Sequence, residues 1–233
     1  DADALRRLMA GIRGEAVEAS GYQLPDEPAP YRGLLRFEAE HSRFFFGRET
    51  ETREVVARLK SSSFLAIIGA SGSGKSSLAR AGVIPALAAA PETKAWRVLT
   101  IIPGREPMRS LAEQLVRLSE PSPVDALRLV DEVVERLSEK PAALDDVLAA
   151  HCATSGQTVL LFIDQFEEVL TACQDGAAGC REQAEQFVAL LQDAVLRGRS
   201  GARILISSRA DFLDTYIAWP ALRELLQDRQ YLL

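Results

Sequence analysis

The chain has 233 residues, 47% of them hydrophobic, and a net charge of −6. That balance argues against a protein that holds nucleic acid by bulk electrostatics, and no apolar run approaches the roughly 18 residues of a membrane-spanning helix. The three cysteines, Cys152, Cys173 and Cys180, are odd in number and lack a C-x-x-C pair; they read as reduced thiols of a soluble cytoplasmic protein, a Cys173 to Cys180 disulfide being the alternative.

Leu5, Leu8, Met9, Ile12 and Val17 have helical spacing, and three prolines follow between Leu24 and Pro30. Residues 1–29 therefore read as the end of an upstream region plus a linker. Tyr31 to Phe46 is dense in aromatics, which suits a segment packed on a domain edge. A helix is expected over Thr50 to Leu59. Phe64 to Ile68 is a first strand, and the helix after it should be interrupted or ended near Pro85.

Trp96 to Ile102 is a second strand. Helical stretches follow near Met108 to Leu118, Pro123 to Ser138 and Ala142 to Cys152. Thr158 to Ile163 is an unbroken apolar strand of the kind covered on both faces. Glu182 to Leu196 is an amphipathic helix, Ala202 to Ser207 a fourth strand, and Asp211 to Gln227 a helix kinked or broken at Pro220. Alternation of strand and helix predicts an α/β fold, a parallel sheet with helices on both faces and its site at the carboxyl ends of the strands.

Between the first strand and its helix lies Gly69-Ala70-Ser71-Gly72-Ser73-Gly74-Lys75-Ser76, then Ser77. This is a complete G-x-x-x-x-G-K-S phosphate loop. Its glycines let successive N–H groups face a β-phosphate, the helix start favours an anion, Lys75 can reach the β- and γ-phosphates, and Ser76 can ligate Mg²⁺. A nucleoside triphosphate ligand, ATP or ADP, is expected. Asp164, at the end of a buried strand, is expected as the acid on the metal side, because a carboxylate there requires a cation or hydrogen bonds. Glu167 and Glu168 follow within one turn, and either could orient the attacking water as a catalytic base. Arg209 follows the fourth strand, where it could sense the γ-phosphate.

Taken together, Pro30 to Leu34, Phe37-Glu38, Phe44 to Glu49, Ile68 to Ser77 with Arg80 to Leu87, Phe162 to Val169 and Ser207 to Phe212 make the chain resemble the STAND NTPases. These are signalling P-loop ATPases related to AAA+ proteins, and the bacterial subgroup called novel STAND NTPase 1 is the one matched. The resemblance covers about residues 30–233, taken as one nucleotide-binding domain. It implies a sheet order 5-1-4-3-2, Gly47 and Arg48 near the adenine, Glu168 rather than Glu167 as the water-orienting acid, and Arg209 as the sensor.

It also implies a regulatory switch with slow hydrolysis, self-association in the ATP state, and a role in bacterial defence or stress signalling. An upstream effector domain and downstream winged-helix and repeat sensor domains are expected, with a fifth strand beginning near Gln230. The domain is expected to be incomplete at its C-terminal end. The alternatives are a mechanical AAA+-like ATPase and a nucleotide-dependent scaffold that does not hydrolyse. A small-molecule kinase is disfavoured by the lack of an acceptor-binding motif.

Overall fold

The computed structural model describes residues 35–90, 95–171 and 179–233. The helix and linker expected over 1–29, Tyr31 and Cys173 lie outside the described residues. Five strands form one parallel sheet: β1 (Phe64–Gly69), β2 (Trp96–Ile101), β3 (Thr158–Ile163), β4 (Arg203–Arg209) and β5 (Gln230–Leu232). Their spatial order is β2-β3-β4-β1-β5, which read from the other edge is 5-1-4-3-2. β4 is thus inserted between β1 and β3, with Gly69 in register with Arg209 and Ile163 with Ile206.

Period-two alternation divides the strand side chains between two cores. On one face Phe64, Ala66 and Ile68 join Leu161, Ile163, Ile204 and Ile206. They pack beneath α3 (Pro107–Val116), α5 (Ala143–Ser155) and α7 (Cys180–Arg197), with α4 (Pro123–Glu139) outside. On the other, Leu65, Ile67, Leu160, Phe162 and Leu205 are covered by α1 (Glu49–Ser61) and by α2, the helix after the phosphate loop. Truncating one of these buried leucines to alanine costs about 2–5 kcal/mol.

α2 corrects one expectation. It is α-helical over Lys75–Ser77, π-helical over Leu78–Val83 and α-helical again over Ile84–Ala88, so it passes through Pro85 without ending there. Pro85 lies in the first turn of the Ile84–Ala88 segment, directly after the π-turn. The hydrogen-bond ladder reaches Ile84, whose N–H donates to the Ala79 carbonyl, and Pro85 then removes one donor from a helix that continues. Pro220 behaves as expected: α8 (Leu213–Ile217) stops, Trp219 is extended, and α9 (Pro220–Leu226) restarts with the proline in its first turn. A residue before proline avoids the helical region, which explains the break.

The aromatic segment packs only in part. A 3₁₀ turn spans Ala39–Phe44, and Phe37 and Phe45 approach ring to ring at 5.8 Å. Phe46 is 76% exposed. The cysteines need a second correction: Cys152 is a free thiol, but Cys180 is disulfide-bonded. An odd count is as compatible with one pair and one leftover thiol as with three thiols.

Candidate functional site

Gly72 and Gly74 have φ of +74° and +90°, values in the left-handed region that L side chains rarely adopt. A Cβ on Gly69 would lie 2.7 Å from the carbonyl oxygen of Leu233 and 2.8 Å from the Ser73 hydroxyl, so only glycine fits at the loop's first position. The Ser73 hydroxyl is buried and has no hydrogen-bond partner among the described residues. Such a group awaits an acceptor, since leaving it unmade costs about 1–3 kcal/mol.

Lys75 is 8% exposed and folds back over its own loop, its Nζ donating to the carbonyls of Ala70 at 2.7 Å and Gly69 at 3.0 Å. Burial lowers its pKa below the ordinary lysine value and Arg209 pushes the same way, while Glu167 and Asp164 oppose. Held by neutral carbonyls alone, the ammonium is poised to exchange them for phosphate oxygens. Beside it opens a cleft of 750 Å³, lined by Leu35, Arg36 and Phe37 on one side and by Gly72, Gly74, Lys75, Ser76, Ser77 and Gln165 on the other. A smaller cavity of 420 Å³ between α3 and α4 shares none of these residues.

Asp164 is fully buried. Its Oδ1 accepts from the hydroxyls of Ser76 at 2.7 Å and Ser207 at 2.6 Å. Its Oδ2 accepts from Nε and Nη2 of Arg80, both at 3.2 Å, and lies 3.7 Å from the Arg36 guanidinium. Arg80 in turn donates to Glu38 at 3.0 Å, and Arg36 to Glu38 at 2.7 Å. Burial tends to raise the Glu38 pKa, but the two guanidinia outweigh it and hold the carboxyl below its ordinary range.

The two glutamates diverge. α6 (Glu168–Thr171) begins at Glu168. Glu167 turns to β4, its Oε2 accepting from the Ser208 hydroxyl at 3.2 Å and the Arg209 N–H at 3.3 Å. Ser208 continues to the buried Tyr216 hydroxyl at 2.5 Å, and burial raises the Tyr216 pKa. Glu168 accepts from the Gly104 N–H beyond β2; burial pushes its pKa up, and Glu167 and Asp164 add to the rise.

Arg209 stands at the end of β4 beside Gly69, yet its side chain is 43% exposed and turned onto Asp211, with Nη2 to Oδ2 at 2.6 Å and Nε to Oδ1 at 3.0 Å. Arg48 reaches the loop through Nη2, 3.5 Å from the Ser73 carbonyl, and pairs with Glu51 at 2.8 Å. Gly47 takes φ of +80° and donates to Glu49. Ser77 accepts from the Phe37 N–H at 3.1 Å. The structure thus brings residues 69–77, Arg48 and Asp164 to one end of the sheet, with Glu167 within electrostatic reach of Lys75.

Sequence reasoning singled out no site role for Arg80, Glu38, Arg36, Ser207 or Gln165. Arg80 follows Ser76 by four residues, but the π-helical winding over Leu78–Val83 means that α-helical spacing does not give its direction. Gln165 holds φ of +57° between Asp164 and the glutamates, which nothing in its residue type announces. Strain at a non-glycine residue of about 1–3 kcal/mol is characteristic of functional sites.

The cleft fits a triphosphate tail through its ammonium, its glycine-rich backbone and the unpaired Ser73 hydroxyl. Among the described residues, no cluster of three His, Cys, Asp or Glu side chains is placed to hold a metal. A magnesium ion here would therefore rely on Ser76, on nucleotide oxygens, and on Asp164.

The family model described as Novel STAND NTPase 1 matches residues 30–233. No curated protein matches the chain in sequence. Among solved structures, the ORC2 protein of Aeropyrum pernix, determined as ADPNP and ADP complexes, is similar with a TM-score of 0.50 and 19% identity, covering 81% of this chain and 48% of that one. The Walker-type ATPase PABY2304 of Pyrococcus abyssi has a TM-score of 0.44 and 16% identity, with 85% of this chain and 53% of that chain covered. The chain spans about half the length of these structures. At such identities the likeness to ORC2 bears on the fold.

Proposed function

This chain belongs to the novel STAND NTPase 1 family, and we propose that it is the nucleotide-gated switch of a signalling ATPase. ADP holds one conformation; ATP with Mg²⁺ favours another that self-associates; slow hydrolysis resets the cycle. Residues 30–233 form the nucleotide-binding domain, and 1–29 lead to it from an upstream effector. A winged helix and repeat sensor downstream would supply the input, in bacterial defence or stress signalling.

The observation that carries this reading is the state of Lys75. Among the described residues, a buried ammonium that donates to the Gly69 and Ala70 carbonyls, next to a Ser73 hydroxyl without a partner, is a cradle suited to an anion. Moving a two-state balance from 1:99 to 99:1 requires about 5.5 kcal/mol of differential affinity. Hydrogen bonds to charged groups contribute about 1.5–3 kcal/mol each. Two or three contacts made to the γ-phosphate alone, from Lys75, Arg209 and a metal, reach that total. Calorimetric titration of the chain with ADP and ATP, with and without Mg²⁺, tests the reading. Micromolar binding that Lys75→Ala removes supports it, and wild-type silence towards both nucleotides rejects it.

A further inference from the structure

We propose that Arg80 is a built-in counter-cation for Asp164, taking the share of that carboxylate that a divalent metal would otherwise hold, so that ADP binds without an obligate metal. The proposal rests on the nucleotide-binding reading above. A carboxylate offers about four acceptor sites. On Asp164 all are engaged, two on Oδ1 by Ser76 and Ser207 and two on Oδ2 by the guanidinium of Arg80.

Arg80 is not a loose surface arginine that a metal would brush aside. Its side chain is 13% exposed, its third nitrogen is fixed by Glu38 at 3.0 Å, and its guanidinium lies 5.6 Å from the centre of the Phe162 ring. A forked guanidinium matched to a buried carboxylate and clamped from behind is a stiff arrangement. With Asp164 paired in this way, an incoming phosphate tail meets less repulsion from that carboxylate. A magnesium ion would rely on Ser76 and nucleotide oxygens, and Asp164 would reach it only by giving up one of its bonds to Arg80. Glu38 is the positioning residue behind Arg80 and belongs to the segment that lines the opposite wall of the cleft.

The test is a titration of the full chain with ADP, once in Mg²⁺ and once in EDTA, the readout being the ratio of the two dissociation constants. The wild-type ratio is expected to be about tenfold or less, and Arg80→Met to raise it by at least another tenfold, because removing one partner of a buried pair leaves the other charge unpaired. The double variant Arg80→Met/Asp164→Asn, lacking both charges, should return the ratio to the wild-type range. Glu38→Gln, which loosens Arg80 from a more exposed position, should raise it in the same direction and supplies the reading if Arg80→Met does not fold. Equal ratios in wild type and Arg80→Met, or in wild type and Glu38→Gln where only that variant folds, would overturn the proposal. Loss of affinity by the same factor in Mg²⁺ and in EDTA would also overturn it, marking Arg80 as purely structural. If the wild type binds no ADP in either condition, the nucleotide-binding reading falls first and takes this one with it.

Discussion

Glu167 and Glu168 adjoin in sequence but are held by different strands: Glu167 by Ser208 and Arg209 at the end of β4, Glu168 by Gly104 beyond β2. Glu167 opposes the effect of burial on Lys75, so the two side chains share one charged environment. Glu167→Gln is therefore expected to reduce ATP hydrolysis by about 10²-fold or more, the range of general acid–base contributions, with ADP affinity retained. Glu168→Gln should cost less. Steady-state phosphate release decides between them, and the opposite ranking would restore Glu168 as the water-orienting acid favoured by the family resemblance.

The Lys75 ammonium donates to two carbonyls of its own loop, those of Gly69 and Ala70. Lys75→Ala should lower affinity for ATP and ADP by about 10²-fold or more, from the loss of two charge-assisted bonds at about 1.5–3 kcal/mol each. Its melting temperature should stay close to that of the wild type. Calorimetry together with thermal unfolding checks both halves.

Glu168 gives the fold a pH dependence of definite sign. Its pKa in the folded state is raised above the ordinary 4.5, so the folded chain binds the proton more tightly than the unfolded one. This contribution to stability is fully present below that ordinary value and is lost as pH rises through the folded pKa. Glu168→Gln should make the protein more stable at pH 8, raising Tm by about 1–3 °C for a domain this size, with little change at pH 4. Thermal unfolding of both proteins at the two pH values measures the difference.

Arg209 is paired with Asp211 through its side chain, and its backbone stands in register with Gly69, the first residue of the loop. If ATP draws it from Asp211 to the γ-phosphate, Arg209→Ala will weaken ATP about tenfold or more and leave ADP nearly unchanged. Asp211→Asn, which frees the guanidinium, should strengthen ATP relative to ADP. Equal effects on both nucleotides would remove the sensing role.

A Cβ at Gly82 would lie 2.6 Å from Oγ1 of Thr52 and 3.3 Å from the ring of Phe45. Gly82→Ala should destabilise the α1–α2 contact by about 1–3 kcal/mol, the cost of overpacking. Thr52→Ala in the same chain should recover much of it. Chemical denaturation of the two single variants and the double variant gives the coupling.

The parts of the site that could be read from the sequence are those made by consecutive residues. Residues 69–77 carry their spacing in one stretch, and Asp164 is announced by the five apolar residues before it. The clamp on Asp164 could not be read this way, because Arg80 and Asp164 are 84 positions apart and Arg80 and Glu38 are 42 apart. Only the sheet order, which the family resemblance implied, sets such distant groups side by side. Local competition hid the posture of Arg209, since its carboxylate partner lies two residues away. Pro220 and Pro85 look alike in sequence, but Pro220 follows an extended Trp219 whereas Pro85 follows a π-helical turn.

That π-turn over Leu78–Val83 contains both Arg80 and Gly82, one facing the acid and the other facing α1. Each residue added to or taken from a helix swings everything beyond it by about 100°. Excising one residue between Ser77 and Arg80 would restore ordinary winding and make a tidier helix, while aiming the guanidinium away from its carboxylate. The irregular winding thus works as a backbone-encoded angular setting. Regular α-winding at this spot would need some other adjustment for Arg80 to keep both of its bonds to Asp164.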